Sequence, residues 1–296
     1  LLRWAVAVVL AVALFEFCFL DVFTRYFDVY SYYLARGVGD PHMGEYRADK
    51  LVASGIRPEG IGRTLLPVLG PHRASSVFIE PVSFGNFAVI LAAWGLAKDR
   101  RAWREGAFFV LAAVAMVVLS DSRFGLGAIT LMLTLRLALV RGVEPVAVLF
   151  PFLAVVLLVA VGLISGTTFS DSFLGRLAAT GQTLLAMDAG EIFGIDPVTK
   201  PYYDMGYPYI LSRNGLVAVL ALWAAWWLLP VAQPAGQRFR ALAALYVALI
   251  LCVSGTSFFA FKTSALLGFL LGCAAAEDSG PAPSPQPGRA AGGVQP

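Results

Sequence analysis

Five cations stand where long apolar runs begin or end: Arg73, Arg123, Arg176, Arg213 and Lys262. A guanidinium offers a planar fork of donors that grips two oxygens of a phosphate at once, and an ammonium offers a compact positive charge. Arg123 is the most informative of the five. It closes the tight turn Ser120-Asp121-Ser122-Arg123, and the apolar run before that turn is only just long enough to cross a bilayer. The turn must therefore lie near the membrane plane, level with phosphate groups. A contact with Asp121 or with a lipid headgroup explains the same residue without a site. Arg73 comes shortly before the run that follows Glu80-Pro81, Arg176 follows another run, Arg213 opens one, and Lys262 lies in the first turn of the last. If the helices bundle, these ends converge on one cavity; taken singly, each cation reads equally well as an interfacial anchor.

Other polar residues point less sharply. Glu16 lies inside the first apolar run, where a charge costs about 2.5–3.5 kcal/mol on insertion scales. It is expected to be paired with an arginine or protonated, with a relay or substrate role as the alternative. Arg136 is placed to snorkel to the surface. His42 and His72 read as solvated loop residues, and Cys18, Cys252 and Cys273 as inert thiols inside apolar runs. There is no DxD, HExxH or Walker loop, so neither a metal nor any other cofactor is expected.

The elements that must position these residues follow from composition. The chain is 58% hydrophobic and 14% charged, against about 25% charged in a soluble domain, which makes it a polytopic membrane protein. A membrane helix needs about 20 apolar residues. Eight runs qualify, at roughly 4–23, 82–97, 104–120, 124–140, 145–164, 209–230, 240–254 and 258–276. The expected fold is an all-α membrane bundle forming one domain over residues 1–276. Two large polar loops, about 24–81 and 165–208, interrupt it, and a Pro/Gly/Ala/Ser-rich tail over 277–296 is expected to be disordered. Arg3, the turn 98–105, Arg141, Arg238 and Arg240 alternate correctly if all are cytoplasmic. Both termini are then cytoplasmic and both large loops are outside. Trp4, Trp94, Trp103, Trp223, Trp226 and Trp227 fall mostly towards the inner ends, as an aromatic belt does. Tyr26, Phe27, Tyr30, Tyr32, Tyr33 and Leu34 suit a segment lying along the interface. The net charge of +3, with no basic–aromatic groove, excludes a nucleic-acid partner. The chain opens on Leu1, which reads as a fragment preceded by further spans.

Arg73-Ala-Ser-Ser-Val-Phe-Ile-Glu80-Pro81 before a run, and Ser120-Asp-Ser-Arg123-Phe-Gly125 at an outer turn, form a pattern. A large loop with Gly194-Ile-Asp196 and Asp204-Met-Gly-Tyr207 then leads into Leu211-Ser-Arg-Asn-Gly215. Together these segments resemble the bacterial O-antigen polymerase and ligase family, and within it the xanthan- and sphingan-type exopolysaccharide polymerases. The resemblance is strongest over about 73–215. It implies a multi-pass enzyme of the bacterial inner membrane that moves glycan repeat units from an undecaprenyl-diphosphate carrier to an acceptor sugar hydroxyl. Arg73, Arg123, Arg176 and Arg213 occupy the places of the arginines that hold the diphosphate, and Lys262 lies at similar depth. Such chemistry needs stabilisation of a departing diphosphate, which fixed cations supply without metal. It also needs a group to take the proton of the attacking hydroxyl; Glu80, then Asp204, then Asp196 are the candidates. Tyr203 and Tyr207 could meet sugar rings or simply anchor at the interface. The implied partners are the lipid-linked oligosaccharide, the bilayer, and a chain-length regulator with export proteins. Two departures matter: eight runs are fewer than the family usually has, and 167–208 lacks the histidine of the ligase branch. A ligase-like transferase and a transporter or flippase of lipid-linked sugar remain the alternative readings.

Overall fold

The computed structural model describes residues 1–35, 55, 65–138, 143–165, 173–196, 202 and 205–276, and within these the regular elements are all helices. The bundle is built around α4 (Pro81–Ala97). Its start is set by Glu80 in an extended conformation and by Pro81, whose missing N–H costs nothing in a first turn. From Phe87 the helix is apolar on every side, and such a helix has no wet face to present. Phe84 and Ala88 to Ala93 accordingly have no exposed surface. Around α4 pack α5 (Trp103–Ser120), α6 (Arg123–Ala138), α12 (Pro234–Ile250) and α14 (Phe261–Ala276). The α4–α5 hairpin is close because Gly95 and Gly106 face each other. A Cβ on either would fall 2.7–2.8 Å from the other's carbonyl oxygen. Small residues at a helix crossing let backbones meet in this way.

Among the described residues three helical stretches are long and apolar enough to cross a membrane: Arg100–Ser120, Glu144–Ile164 and Gly206–Leu228. The second joins α7 (Val143–Val146), a 3-10 turn and α8 (Phe150–Ile164); the third is α11. A fourth exists if α1 (Leu2–Cys18) and α2 (Leu20–Tyr26) count as one span, though they are bent by 112°. All eight apolar runs begin or contain a helix, but α4 and α14 are only 17 and 16 residues long. The described chain is thus an all-helical membrane protein with three to four helices of spanning length.

Two expectations need correction. The run 4–23 does not continue straight. It breaks at Phe19, and α2 turns away with its rings still against α1: Phe15 lies 5.8 Å from Phe19 and, edge-on, 6.4 Å from Phe23, and Phe23 stacks on Phe27 at 4.9 Å. Of these rings Phe23 is buried, while Phe15, Phe19 and Phe27 stay exposed. Further on, much of the stretch 165–208 is not loop. It contains α9 (Phe173–Ala186) and α10 (Ala189–Phe193). Gly162 of α8 and Gly181 of α9 press together so closely that a Cβ on Gly181 would fall 1.9 Å from the Leu158 carbonyl oxygen. Asp188 caps α10 by accepting the Glu191 N–H at 2.8 Å. Of the first large loop, residues 36–54 and 56–64 lie outside the described residues, as do Arg141 and the tail 277–296.

The basic residues expected on one side do share one end of the bundle. Arg238, in the first turns of α12, donates through Nε to the Ala97 carbonyl at 3.0 Å and pairs with Asp99. Arg136 Nε donates to the Leu96 carbonyl at 3.1 Å. Glu105 pairs with Arg3 at 3.3 Å and with Lys98 at 3.7 Å. Lys98 also stands 4.2 Å from the centroid of Trp94, which is edge-on to Phe239. At this end arginines satisfy the carbonyls that helix ends leave open.

Candidate functional site at the opposite end

The other end is assembled from α1, the segment 65–80, and the α5–α6 turn. Glu16, near the end of α1, is fully buried. Its carboxylate accepts the Ser75 N–H on both oxygens at 2.9 and 3.0 Å, the Ser75 hydroxyl at 3.0 Å and the Ser76 N–H at 2.6 Å. His72 Nε2 lies 3.3 Å from Glu16 Oε1, at ion-pair range though without hydrogen-bond geometry. The Ser76 hydroxyl donates to the Val9 carbonyl at 2.7 Å. Among the described residues Glu16 is therefore neither paired with an arginine nor idle. It clamps residues 75 and 76 onto α1, and a buried carboxylate holding several donors is stable where a bare one is not.

The same segment is stitched to the end of α5. Ala74 N–H donates to the Leu119 carbonyl at 3.0 Å, and Arg73 Nε to the Ser120 carbonyl at 3.0 Å. Asp121, fully buried, accepts the Leu65 N–H at 2.9 Å. Three described non-glycine residues have positive φ: Ser76 at 52°, Ile79 at 68° and Asp121 at 50°. All three belong to this end. Each such conformation costs on the order of 1–3 kcal/mol and persists only where its surroundings over-determine it. Ile79 is the least suited of the three, being β-branched.

Glu80, Ser83 and Lys262 meet at the start of α4. The Ser83 hydroxyl donates to Glu80 Oε2 at 2.9 Å, and Lys262 Nζ donates to the Phe78 carbonyl at 2.9 Å and stands 3.4 Å from Glu80 Oε2. Both charged side chains are partly open, at 33% and 39%. Arg123 is the exposed first residue of α6. Ser122 before it accepts the Gly125 N–H at 3.0 Å and so caps that helix. A Cβ on Gly85 would fall 2.6 Å from Ser122 Oγ, and one on Gly125 2.9 Å from it. Both glycines are needed for the Arg123 turn to rest on α4.

Arg176 and Arg213 reach the same end by another route. Arg176, half-buried, lies one turn before Thr180, whose hydroxyl lies 2.9 Å from the Arg176 carbonyl and 3.0 Å from that of Cys252. Cys252 follows α12. The Tyr207 N–H, at the start of α11, donates to the Leu251 carbonyl at 3.0 Å, and a Cβ on Gly206 would fall 2.3 Å from that oxygen. Arg213, exposed, sits 4.6 Å over the Tyr209 ring. The chain from 251 to 260 then runs on to Lys262, which joins the two groups. So the five cations lie at one end of the bundle. Arg73 is buried in the framework there, while Arg123 and Arg213 are exposed.

Two expected site residues are placed differently. Tyr207 is buried, and its hydroxyl donates to the Ala248 carbonyl at 3.2 Å, so it ties α11 to α12 instead of facing outwards. Asp196 is exposed and its carboxylate lies against α10: a Cβ on Gly190 would fall 1.8 Å from its Oδ2. Tyr203 and Asp204 lie outside the described residues. Among the described residues no group of three or more His, Cys, Asp or Glu side chains is placed to hold a metal.

One feature escapes the pattern of apolar runs. α11 is interrupted at Gly215, with φ 74° and ψ 152°, two residues after Arg213. A Cβ there would fall 2.3 Å from the Phe193 carbonyl oxygen, because the end of α10 abuts the break. Broken helices within a membrane occur where backbone is covered by protein or lines a cavity. The signal in the sequence is Ser212-Arg-Asn-Gly215, three polar residues and a glycine one third of the way along an apolar run.

Compared with protein-family models, curated proteins and solved structures, the chain matches none.

Proposed function

We propose that the chain is a polysaccharide polymerase of the bacterial inner membrane. In this reading it crosses the bilayer eight times with both termini cytoplasmic, and its strained end faces outwards. There it transfers glycan from an undecaprenyl-diphosphate carrier to an acceptor sugar. The observation that carries the reading is the gathering of Arg123, Arg213 and the Glu80–Lys262 pair at the end that also holds three strained residues. At the opposite end Arg136 and Arg238 are engaged with carbonyls and a carboxylate, while Arg100, Arg101 and Arg104 are exposed.

Arg123 and Arg213 grip the diphosphate oxygens, and Lys262 adds a third charge. Arg73 fixes the α5–α6 turn that carries Arg123. The acceptor hydroxyl attacks the anomeric carbon; the bond from that carbon to the diphosphate oxygen breaks, and the diphosphate leaves with the electron pair. The hydroxyl proton passes to the Glu80 carboxylate. Fixed cations stabilise the charge that grows on the leaving oxygen, and need no reorganisation as it does so. A transferase that ligates finished glycan uses the same chemistry with a different acceptor.

The test is reconstitution with lipid-linked oligosaccharide and measurement of product length. Arg123→Ala and Arg213→Ala should each leave single repeat units unextended while the protein stays folded in the membrane. Wild-type product length from both variants contradicts the reading. The break at Gly215 favours a second reading, a transporter of lipid-linked sugar, since transporters bind at broken helices. Passage of labelled lipid-linked sugar across the bilayer with no chain growth selects that reading.

A further inference from the structure

The turn that joins α4 to α5, at the basic end, carries more positive charge than the fold uses. It reads Lys98-Asp99-Arg100-Arg101-Ala102-Trp103-Arg104-Glu105. Its two carboxylates are already paired: Asp99 with Arg238, and Glu105 with Lys98 at 3.7 Å and Arg3 at 3.3 Å. Arg100, Arg101 and Arg104 are exposed and have no carboxylate partner among the described residues. The Arg104 guanidinium lies 5.8 Å from the Trp103 ring, which is itself 63% exposed. The Arg3–Glu105 pair brings the start of α1 alongside, and Trp4 there is 77% exposed.

These arginines stand over an apolar track. Arg100 opens the stretch Arg100–Ser120, which is of spanning length, so the turn lies at the level of headgroups. Arg104, Phe108 and Leu111 are spaced four and then three residues apart, and so share one face of α5. Phe108 and Leu111 are 41% and 69% exposed, so that face looks out of the bundle below the cation. A soluble anion or an acidic peptide could use the arginines but not the track. A phospholipid uses both, with its headgroup on the cations and an acyl chain against Phe108 and Leu111. A zwitterionic headgroup brings its own cation and leaves the three charges unbalanced, whereas an anionic one neutralises them.

We infer that Arg100, Arg101 and Arg104, with the Phe108–Leu111 face below them, form a binding surface for anionic phospholipid in the leaflet at the basic end. Each guanidinium can meet two phosphodiester oxygens through parallel N–H donors. Cations held so close on one turn repel one another, and an anion set among them removes that repulsion. Trp4 and Trp103 flank the surface as aromatic rings do at headgroup depth. This surface is independent of the transfer chemistry proposed for the other end.

The experiment is native mass spectrometry of the full chain in mild detergent, comparing phosphatidylglycerol with phosphatidylcholine of the same acyl chains. Wild type should bind phosphatidylglycerol at least about tenfold more tightly, and Arg100→Gln/Arg101→Gln/Arg104→Gln should lose most of that preference, since an anionic surface is worth roughly fivefold for each arginine near it. Arg25→Gln, which removes an exposed arginine of the opposite end, should leave the preference intact. A preference that survives in the triple variant, or that falls as far in Arg25→Gln, overturns the surface, as does a wild type that binds both lipids alike. Millimolar inorganic phosphate should not displace phosphatidylglycerol; displacement assigns the arginines to a soluble anion and overturns the lipid. Leu111→Gln, which wets the track, should weaken both lipids by a similar factor of roughly three to ten, and unweakened binding overturns the acyl-chain contact. Should the triple variant not fold, Arg104→Gln alone decides, with an expected loss of preference of roughly fivefold.

Discussion

The two ends of the bundle use the same residue types to opposite purposes. At the basic end, Arg136 and Arg238 put their donors onto the carbonyls of Leu96 and Ala97, and acidic partners lie at Asp99 and Glu105. That arrangement finishes helices and holds them together, while Arg100, Arg101 and Arg104 beside them stand exposed, so an exposed arginine alone does not tell the two ends apart. At the other end the roles are split. The framework is made by buried carboxylates, Glu16 and Asp121, which hold backbone donors of residues 65–76, while Arg123 and Arg213 stand exposed. Backbone strain collects only there among the described non-glycine residues. Cations that are not needed for folding, on a scaffold strained enough to need its own clamps, are what a ligand-gripping end requires.

The largest difference should come from removing the clamp. Glu16→Ala leaves the N–H groups of Ser75 and Ser76 and the Ser75 hydroxyl without their acceptor. At about 1–3 kcal/mol for each open donor, it should cost several kcal/mol and detach the segment 65–80. Thermal unfolding in detergent and proteolysis at that segment measure this; unchanged stability would remove the framework role given to Glu16. Next comes the break in α11. Gly215→Ala forces a Cβ into a left-handed conformation and towards the Phe193 carbonyl at 2.3 Å. It should cost about 2–4 kcal/mol, from strain plus a displaced α10, and a loss below about 0.5 kcal/mol would show that α10 does not pin the break.

A direct contrast between the ends follows. Arg238→Ala should destabilise by about 1–2 kcal/mol through the lost carbonyl and carboxylate bonds. Arg123→Ala should stay within about 0.5 kcal/mol of wild type. Equal losses would erase the distinction between a structural and an exposed arginine. A small effect is also expected at Ile79. Its left-handed conformation costs on the order of 1–2 kcal/mol, which glycine does not pay. Ile79→Gly should therefore lie within about 1 kcal/mol of wild type despite losing a half-buried side chain, whereas the same change at a strain-free position costs more.

Much of this architecture was legible in the chain. Each apolar run announced a helix, because uninterrupted hydrophobicity leaves no alternative in a bilayer. The alternation of basic turns grouped Arg3, Lys98, Arg238 and Arg240, which do share an end. What stayed hidden depends on pairs distant in sequence. Glu16 meets Ser75 across 59 residues, and nothing local to either announces the contact. The helix α9 was masked by its polar residues, although Leu177, Ala178, Gly181 and Leu184 recur at helical spacing. The bend at Phe19 has no glycine or proline to mark it. Tyr207 looked like a surface aromatic because its neighbours are polar, yet a carbonyl of α12 takes its hydroxyl.

The central claim is that the strained end, and not the basic end, grips a lipid-borne diphosphate. Binding of a polyprenyl diphosphate to the protein in nanodiscs measures it directly. The double variant Arg123→Ala/Arg213→Ala should bind at least about tenfold more weakly than wild type, the loss of more than 1.4 kcal/mol, while Arg238→Ala binds as wild type does. Unchanged binding by the double variant, or weakened binding by Arg238→Ala alone, would contradict the claim.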